Sequence, residues 1–152
     1  MIKAGIAGAG GYAGQELIRI LKNHPDVKIE CMTARSDAGK RYDTVYGNYK
    51  EIEERELSDI SLEDMAEKCD VVFIALPAGA AAEGVTEGVL NKTRIIDLGG
   101  DFRLKNADDY EKWYELKHNN REILKEAVYG LCEVNRDIIK GKRLVANPGC
   151  YT

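Results

Sequence analysis

The sequence predicts an α/β domain built on a mainly parallel sheet, and two observations carry that reading. Short apolar runs of strand length alternate with segments of helical periodicity along the chain. A glycine-rich turn, Gly8-Ala9-Gly10-Gly11-Tyr12-Ala13-Gly14, then joins the first apolar run to the first helical pattern. At 152 residues the chain has the size of one domain with a real core. Hydrophobic residues at 44% and charged residues at 32% place it among globular rather than disordered chains.

The first strand is read as Ile2 to Ala7, followed by the turn Gly8 to Gly14. A helix then runs to about Leu21 and is ended by Asn23-His24-Pro25. A second strand covers Val27 to Met32. Asp37 to Tyr49 has glycines and tyrosines with little periodicity and is read as a loop. Ser61, with Asp64 three residues on, is the N-cap of a short helix to Lys68. Val71 to Leu76 is a continuous apolar run stopped by Pro77, the pattern of a buried parallel strand. Small residues from Gly79 to Gly88 predict one closely packed helix, and Thr93 to Leu98 another strand. Helices are expected near Ala107–Leu116 and Asn120–Lys125, before a last strand at Arg143-Leu144-Val145-Ala146. Asn147-Pro148-Gly149-Cys150-Tyr151-Thr152 closes the chain, resembling the entrance to a helix, so a fragment of a longer protein is expected.

A net charge of -4 gives no reason to expect nucleic acid or an anionic membrane as partner. No apolar run approaches the ~20 residues of a bilayer span. The N-terminus enters a strand at once, without a signal-peptide layout, so a soluble cytoplasmic protein is the expectation. Cys31, Cys69, Cys132 and Cys150 form no C-x-x-C pair, and His24 and His118 lie far from them in sequence, which argues against zinc. Cys31 and Cys69, at strand edges, read as small buried apolar side chains.

The glycine turn satisfies two spacings, Gly8-x-Gly10-x-x-Ala13 and Gly8-x-x-Gly11-x-x-Gly14. Both belong to dinucleotide sites, since glycines allow the tight turn and let backbone approach a pyrophosphate. The helix N-terminus then offers free N–H groups to the anion. A strand before it and a helix after it supply the required context, the alternative being a purely structural turn. An NAD site usually has Asp or Glu at the end of the second strand. Here that end reads Met32-Thr33-Ala34-Arg35-Ser36, with Glu30 inside the strand. Arg35 and Ser36 can hold a 2′-phosphate by charge and hydroxyl, which favours NADP.

Cys150 follows a strand and sits where a helix N-terminus is expected, a position that lowers a thiol pKa. Asn147 can orient a substrate or donate to a developing oxyanion. Four segments carry a more specific signal: the glycine turn, Asp97-Leu98-Gly99-Gly100-Asp101-Phe102-Arg103-Leu104, Tyr129-Gly130-Leu131-Cys132-Glu133 and Ala146-Asn147-Pro148-Gly149-Cys150-Tyr151. Together, in order and across essentially the whole chain, they resemble N-acetyl-gamma-glutamyl-phosphate reductase.

That resemblance implies a Rossmann-like, doubly wound NADP-binding domain over residues 1–152, with the family's second, substrate and dimerisation domain outside this chain. It implies that NADPH reduces an acyl phosphate to an aldehyde, with Cys150 as the nucleophile that expels phosphate and carries the acyl group as a thioester. It also implies dinucleotide contacts at Gly8, Gly10, Gly11, Tyr12, Ala13, Gly14, Thr33, Arg35, Ser36, Leu76, Pro77 and Gly79, and substrate contacts at Arg103 and Asn147. A homo-oligomer is implied for the full-length enzyme. The family's general acid is a histidine that neither His24 nor His118 matches, so the fragment is expected to bind NADP(H) without turnover. Asp97 and Asp101 read as groups that cap the strand end and hold Arg103.

The chain departs from the family at Ala78, where a histidine is common, at Gly99-Gly100, where Ser-Ala is common, and at Cys132, usually proline. Aspartate-semialdehyde dehydrogenase is the nearest rival, opposed by Asp101-Phe102-Arg103 and Tyr129-Gly130-Leu131. An aminoadipyl-phosphate reductase keeps the same motifs, and an NADP(H)-sensing module without catalysis is the rival from another class.

Overall fold

Six parallel strands form one sheet in the computed structural model, which describes residues 1–152. The strands are β1 (Ile2–Ala7), β2 (Val27–Thr33), β3 (Val71–Ile74), β4 (Arg94–Asp97), β5 (Val128–Tyr129) and β6 (Leu144–Ala146). Their spatial order is β2-β1-β3-β4-β6-β5. The helices are α1 (Tyr12–Lys22), α2 (Tyr42–Val45), α3 (Leu62–Lys68), α4 (Ala80–Gly84), α5 (Glu87–Lys92), α6 (Ala107–Tyr114), α7 (Arg121–Glu126) and α8 (Cys132–Ile139).

Period-two alternation in the strands builds two cores, one on each face of the sheet. On β3, Val72 and Ile74 join a cluster with Met65 of α3, Val89 of α5 and Ile95 of β4. Val71 and Phe73 point the other way, toward a cluster with Ile6 of β1, Ile18 of α1 and Met32 of β2. Both faces are covered, and this explains why the strands read as unbroken apolar runs. The doubly wound reading is thereby met. One irregularity interrupts β1 and β2: Ala4 pairs with Ile29 but Gly5 with Cys31, so Glu30 is an extra, bulged residue.

The local signals succeed where they are chemical. Ser61 caps α3 by accepting from the Asp64 N–H at 3.1 Å, and the Asp64 carboxylate accepts in return from the Ser61 N–H. Two expectations need correction. The helix predicted over Gly79–Gly88 is two helices, because Val85 turns out of α4 and Thr86 caps α5 through the Val89 N–H. The loop predicted over Asp37–Tyr49 contains α2 and the 3-10 turn Gly47–Tyr49, and starts on the last residue of another 3-10 turn, Arg35–Asp37. Its apolar stripe consists of tyrosines, Tyr42, Tyr46 and Tyr49, which hid the helical spacing. Strand β5 and helix α8 were not foreseen: β5 has only two residues, and α8 buries none and is kinked at Asn135. No helix is long and apolar enough to cross a membrane.

Candidate functional site

The chain runs outward from β1 to β2 and then returns past β1 to β3, so the order reverses between β1 and β3. In open parallel sheets the crevice at such a switch point, outside the carboxyl ends of the strands, is where ligands bind. Two loops border it here: the glycine turn after β1 and Leu76-Pro77-Ala78-Gly79 after β3.

Close packing dictates three of the four glycines in the turn. Gly8 has φ +89, and a Cβ there would stand 2.3 Å from the Ala75 carbonyl oxygen and 3.0 Å from Leu76. A Cβ on Gly14 would stand 2.2 Å from the Gly8 carbonyl oxygen, where α1 crosses the turn. At Gly10 the obstacle is the Tyr46 hydroxyl, 2.3 Å from the Cβ position. Gly11 differs: a Cβ there would meet only the Gly8 oxygen, at 3.8 Å. The space in front of Gly11 is therefore open to a ligand.

The first turn of α1 fits an anion. Gly11 is its N-cap and makes no side-chain capping bond, and the first turn holds no acidic residue. Tyr12 and Ala13 are exposed on that turn, whereas Gly14 is buried against the strand. Of the two overlapping spacings, then, Gly8-Gly11-Gly14 matches the geometry, since the packing role falls to Gly14 and not to Ala13. The turn is braced by β2, where the Thr33 carbonyl accepts from both Gly8 and Ala9 N–H groups at 3.2 and 2.9 Å. Tyr42 donates its hydroxyl to the Ala9 carbonyl at 3.0 Å.

Beyond β2, Arg35 and Ser36 lie exposed on a 3-10 turn. The Ser36 hydroxyl donates to Asp37 at 2.8 Å, and Lys40 bonds the same carboxylate at 2.9 Å, which holds Asp37 below the ordinary carboxylate range. Asp37 is thus a neighbour of the candidate phosphate site that no motif in the sequence marks. Glu30, by contrast, pairs with Lys28 at 3.0 Å, away from the strand end. Leu76 reaches the glycine turn, Pro77 is exposed, and Gly79 takes φ +91 to start α4.

A cavity of about 590 Å³ opens at the ends of β4 and β6, lined by Arg103, Leu104, Tyr114, Tyr129 and Gly149 to Thr152. Cys150 is exposed on its wall. The residue lies in the turn that follows β6. Arg103 ties the two strand ends together: Nε donates to the Asn147 carbonyl at 2.8 Å and Nη2 to the Leu98 carbonyl at 2.7 Å. Its Nη1 is the arm nearest Gly149, 3.5 Å from that residue's Cβ position. Asn147 donates its backbone N–H to the Asp97 carbonyl at 2.8 Å and its side-chain amide to Pro148 at 3.2 Å.

The two aspartates do not hold Arg103, contrary to expectation. Asp101 is buried and accepts from the Gly79 and Ala82 N–H groups and from the Tyr110 hydroxyl, at 2.8 to 2.9 Å, so it secures the start of α4. Asp97 accepts from the Gly99 N–H at 2.8 Å, leaving its other oxygen buried without a partner. Burial pushes its pKa up to about 6, with the nearby Asp101 charge adding to the effect. Gly100 is needed because the Tyr114 ring lies within 2.3 Å of its Cβ position, stacked on Tyr110 at 4.7 Å. The glycine that departs from the common Ser-Ala thus admits a cavity wall that no sequence pattern announced.

Both histidines are structural. His118 is buried, with Nδ1 accepting from the Asn120 N–H and Nε2 facing the Asp101 carbonyl at 2.8 Å, which makes Nε2 the protonated nitrogen. His24 accepts from the Asp26 N–H in the turn after α1.

A family model described as semialdehyde dehydrogenase, NAD binding domain, matches residues 3–142. The chain belongs to the semialdehyde dehydrogenase family. Within that family its relatives include proteins named N-acetyl-gamma-glutamyl-phosphate reductase. One from Lachnoclostridium phytofermentans is 50% identical, over 99% of this chain and 44% of its own length. Another, from Lachnospira eligens, is 48% identical over 100% of this chain and 44% of its own length. The chain therefore spans under half the length of the curated relatives it matches, and the resemblance read from the motifs is borne out across all of it. Among solved structures, aspartate semialdehyde dehydrogenase with NADP from Candida albicans aligns with a TM-score of 0.62 at 20% identity. That alignment covers 97% of this chain and 42% of the other. The enzyme from Francisella tularensis gives 0.64 at 17% identity, covering 99% and 37%. At these identities the likeness is one of fold.

Proposed function

We propose that this chain carries the NADP(H) site and the nucleophile of an acyl-phosphate reductase acting on N-acetyl-glutamyl 5-phosphate, a step of arginine biosynthesis. The observation that supports this reading most is the position of Cys150. It shares a cavity with Arg103 at the same carboxyl end of the parallel sheet as an anion-ready glycine turn.

In this reading Gly8, Gly10, Gly11 and Gly14 shape the turn, and the N–H groups of Tyr12 and Ala13 face the pyrophosphate. Thr33, Arg35 and Ser36 take the adenosine end, with Arg35 on the 2′-phosphate. Leu76, Pro77 and Gly79 form the opposite lip of the crevice. The Cys150 thiolate attacks the acyl carbon, the carbon–oxygen bond to phosphate breaks, and a thioester remains on sulfur. NADPH, when bound, supplies the hydride that reduces the thioester. Arg103 has committed two arms to the backbone, which leaves Nη1 for the substrate, while Asn147 orients the acyl group. Release of the aldehyde returns the Cys150 sulfur as a thiol.

That release needs a proton donor, and both histidines of this chain are engaged with backbone groups outside the cavity. Incubation of the chain with the acyl phosphate and NADPH, followed by mass spectrometry, tests the assignment. The expected result is phosphate release with an acyl adduct on Cys150, absent in Cys150→Ala, and no accumulation of aldehyde. An adduct confined to Cys132 would contradict the nucleophile assignment. Sustained aldehyde formation would contradict the claim that the proton donor is not among these residues.

A further inference from the structure

Cys31 and Cys69 are 38 positions apart in sequence, yet their sulfurs stand 3.5 Å apart. The fold brings them together by two specific features. The bulge at Glu30 sets Cys31 opposite Gly5, where an unbroken register would have set Glu30. Gly5 then makes room for both sulfurs, since a Cβ there would fall 3.0 Å from Sγ of Cys69 and 3.3 Å from Sγ of Cys31. Cys69 is the C-cap of α3, so the pair bridges that helix to β2.

We propose that Cys31 and Cys69 form an oxidative modification site, at which a hydroperoxide converts the two thiols into an intramolecular disulfide. The bond requires the sulfurs to close to about 2.05 Å, a movement of roughly 1.5 Å shared between two side chains. Access is graded in the order the chemistry needs: Cys31 is half-buried and reachable by a small oxidant, while Cys69 is buried behind it. The Cys69 hydrogen bond holds the Cys31 thiol below its ordinary pKa against the opposing effect of burial, and Lys68 adds to the lowering.

The Cys31 thiol first gives its proton to solvent. Its thiolate attacks one peroxide oxygen, the O–O bond breaks, and hydroxide leaves to become water, with Cys31 now a sulfenic acid. Cys69 sulfur then attacks Cys31 sulfur, the S–O bond breaks, and the departing hydroxide takes the Cys69 proton as a second water. Two thiols have lost two electrons and the peroxide has gained them. Because β2 continues into Thr33, whose carbonyl braces Gly8 and Ala9, the cross-link tethers the strand that supports the glycine turn. None of this depends on the role proposed for Cys150.

The test uses the folded chain and its Cys132→Ser/Cys150→Ser variant, each treated with hydrogen peroxide and then alkylated under denaturing conditions. The expected result is loss of two hydrogen atoms, a non-reduced peptide joining Cys31 to Cys69, and return of both alkylatable thiols after reduction. Should the double variant fail to fold, the peptide map of the unaltered chain gives the same answer. Cys31→Ser should leave Cys69 reduced. Both thiols staying alkylatable at peroxide levels that oxidise Cys150 would overturn the proposal. So would progression of Cys31 to sulfinic acid without the cross-link.

Discussion

Gly14 is the residue on which the contact between α1 and β1 turns, since a Cβ there would fall 2.2 Å from backbone that cannot move aside. Gly14→Ala is expected to destabilise the fold by about 1–3 kcal/mol, the usual cost of overpacking, as measured by urea unfolding. Gly11→Ala meets no such obstacle and should lose far less, so equal losses would contradict the division of roles within the turn. Asp97 provides a pH test. Its carboxyl titrates near 3.8 when unfolded and at about 6 when folded. Between those values the folded state binds the extra proton, so stability falls as pH rises through that window and stays lowered above it. The effect is on the order of 2–3 kcal/mol for a group this buried. Thermal unfolding from pH 3 to 8 should show that fall relative to Asp97→Asn, and parallel curves would refute the shift. Neither residue's part was fully legible beforehand. Gly14 was visible as a spacing, but the burial of Asp97 depends on a loop contributed by later sequence.

At the scale of elements, the tyrosines between Arg35 and Tyr49 show what the sequence hid. Tyr42 packs at 4.7 Å on Tyr46 and 5.1 Å on Tyr49, while its hydroxyl holds the Ala9 carbonyl. Tyr42→Phe keeps the ring and removes that bond, so a loss of about 1 kcal/mol is expected, together with weaker dinucleotide binding. Unchanged stability and binding would mean that this segment merely lies beside the turn. The capping box of α3 was legible because Ser61 and Asp64 interact locally. Helix α8 was not, because it buries no stripe, and β5 is held by its pairing with β6 rather than by any pattern of its own. Expectation and structure also part at Arg103. The Asp-Phe-Arg motif marked the residue, but its partners are the carbonyls of Leu98 and Asn147, which carry no side-chain signature.

For the whole molecule, parallel α/β architecture was readable from alternation, and the position of the glycine turn followed from its place between β1 and α1. The reversal of strand order between β1 and β3, which sets Leu76 against the turn, is implied by the family resemblance through its doubly wound fold and not by alternation alone. The cavity beside Cys150 likewise combines Arg103, Tyr114 and Tyr129 from separate segments, so only its motif-bearing members stood out. The proximity of Cys31 and Cys69 needed the bulge, which sequence does not announce. We propose above all that the β1–α1 turn and the Arg35 segment together form an NADP(H) site. Calorimetric titration of the chain with NADP+ and, separately, with NAD+ tests it most directly. Tighter binding of NADP+ is expected, with the preference lost in Arg35→Ala and the remaining affinity matching that for NAD+. Equal binding of both nucleotides by the unaltered chain, or a preference that survives Arg35→Ala, would contradict it.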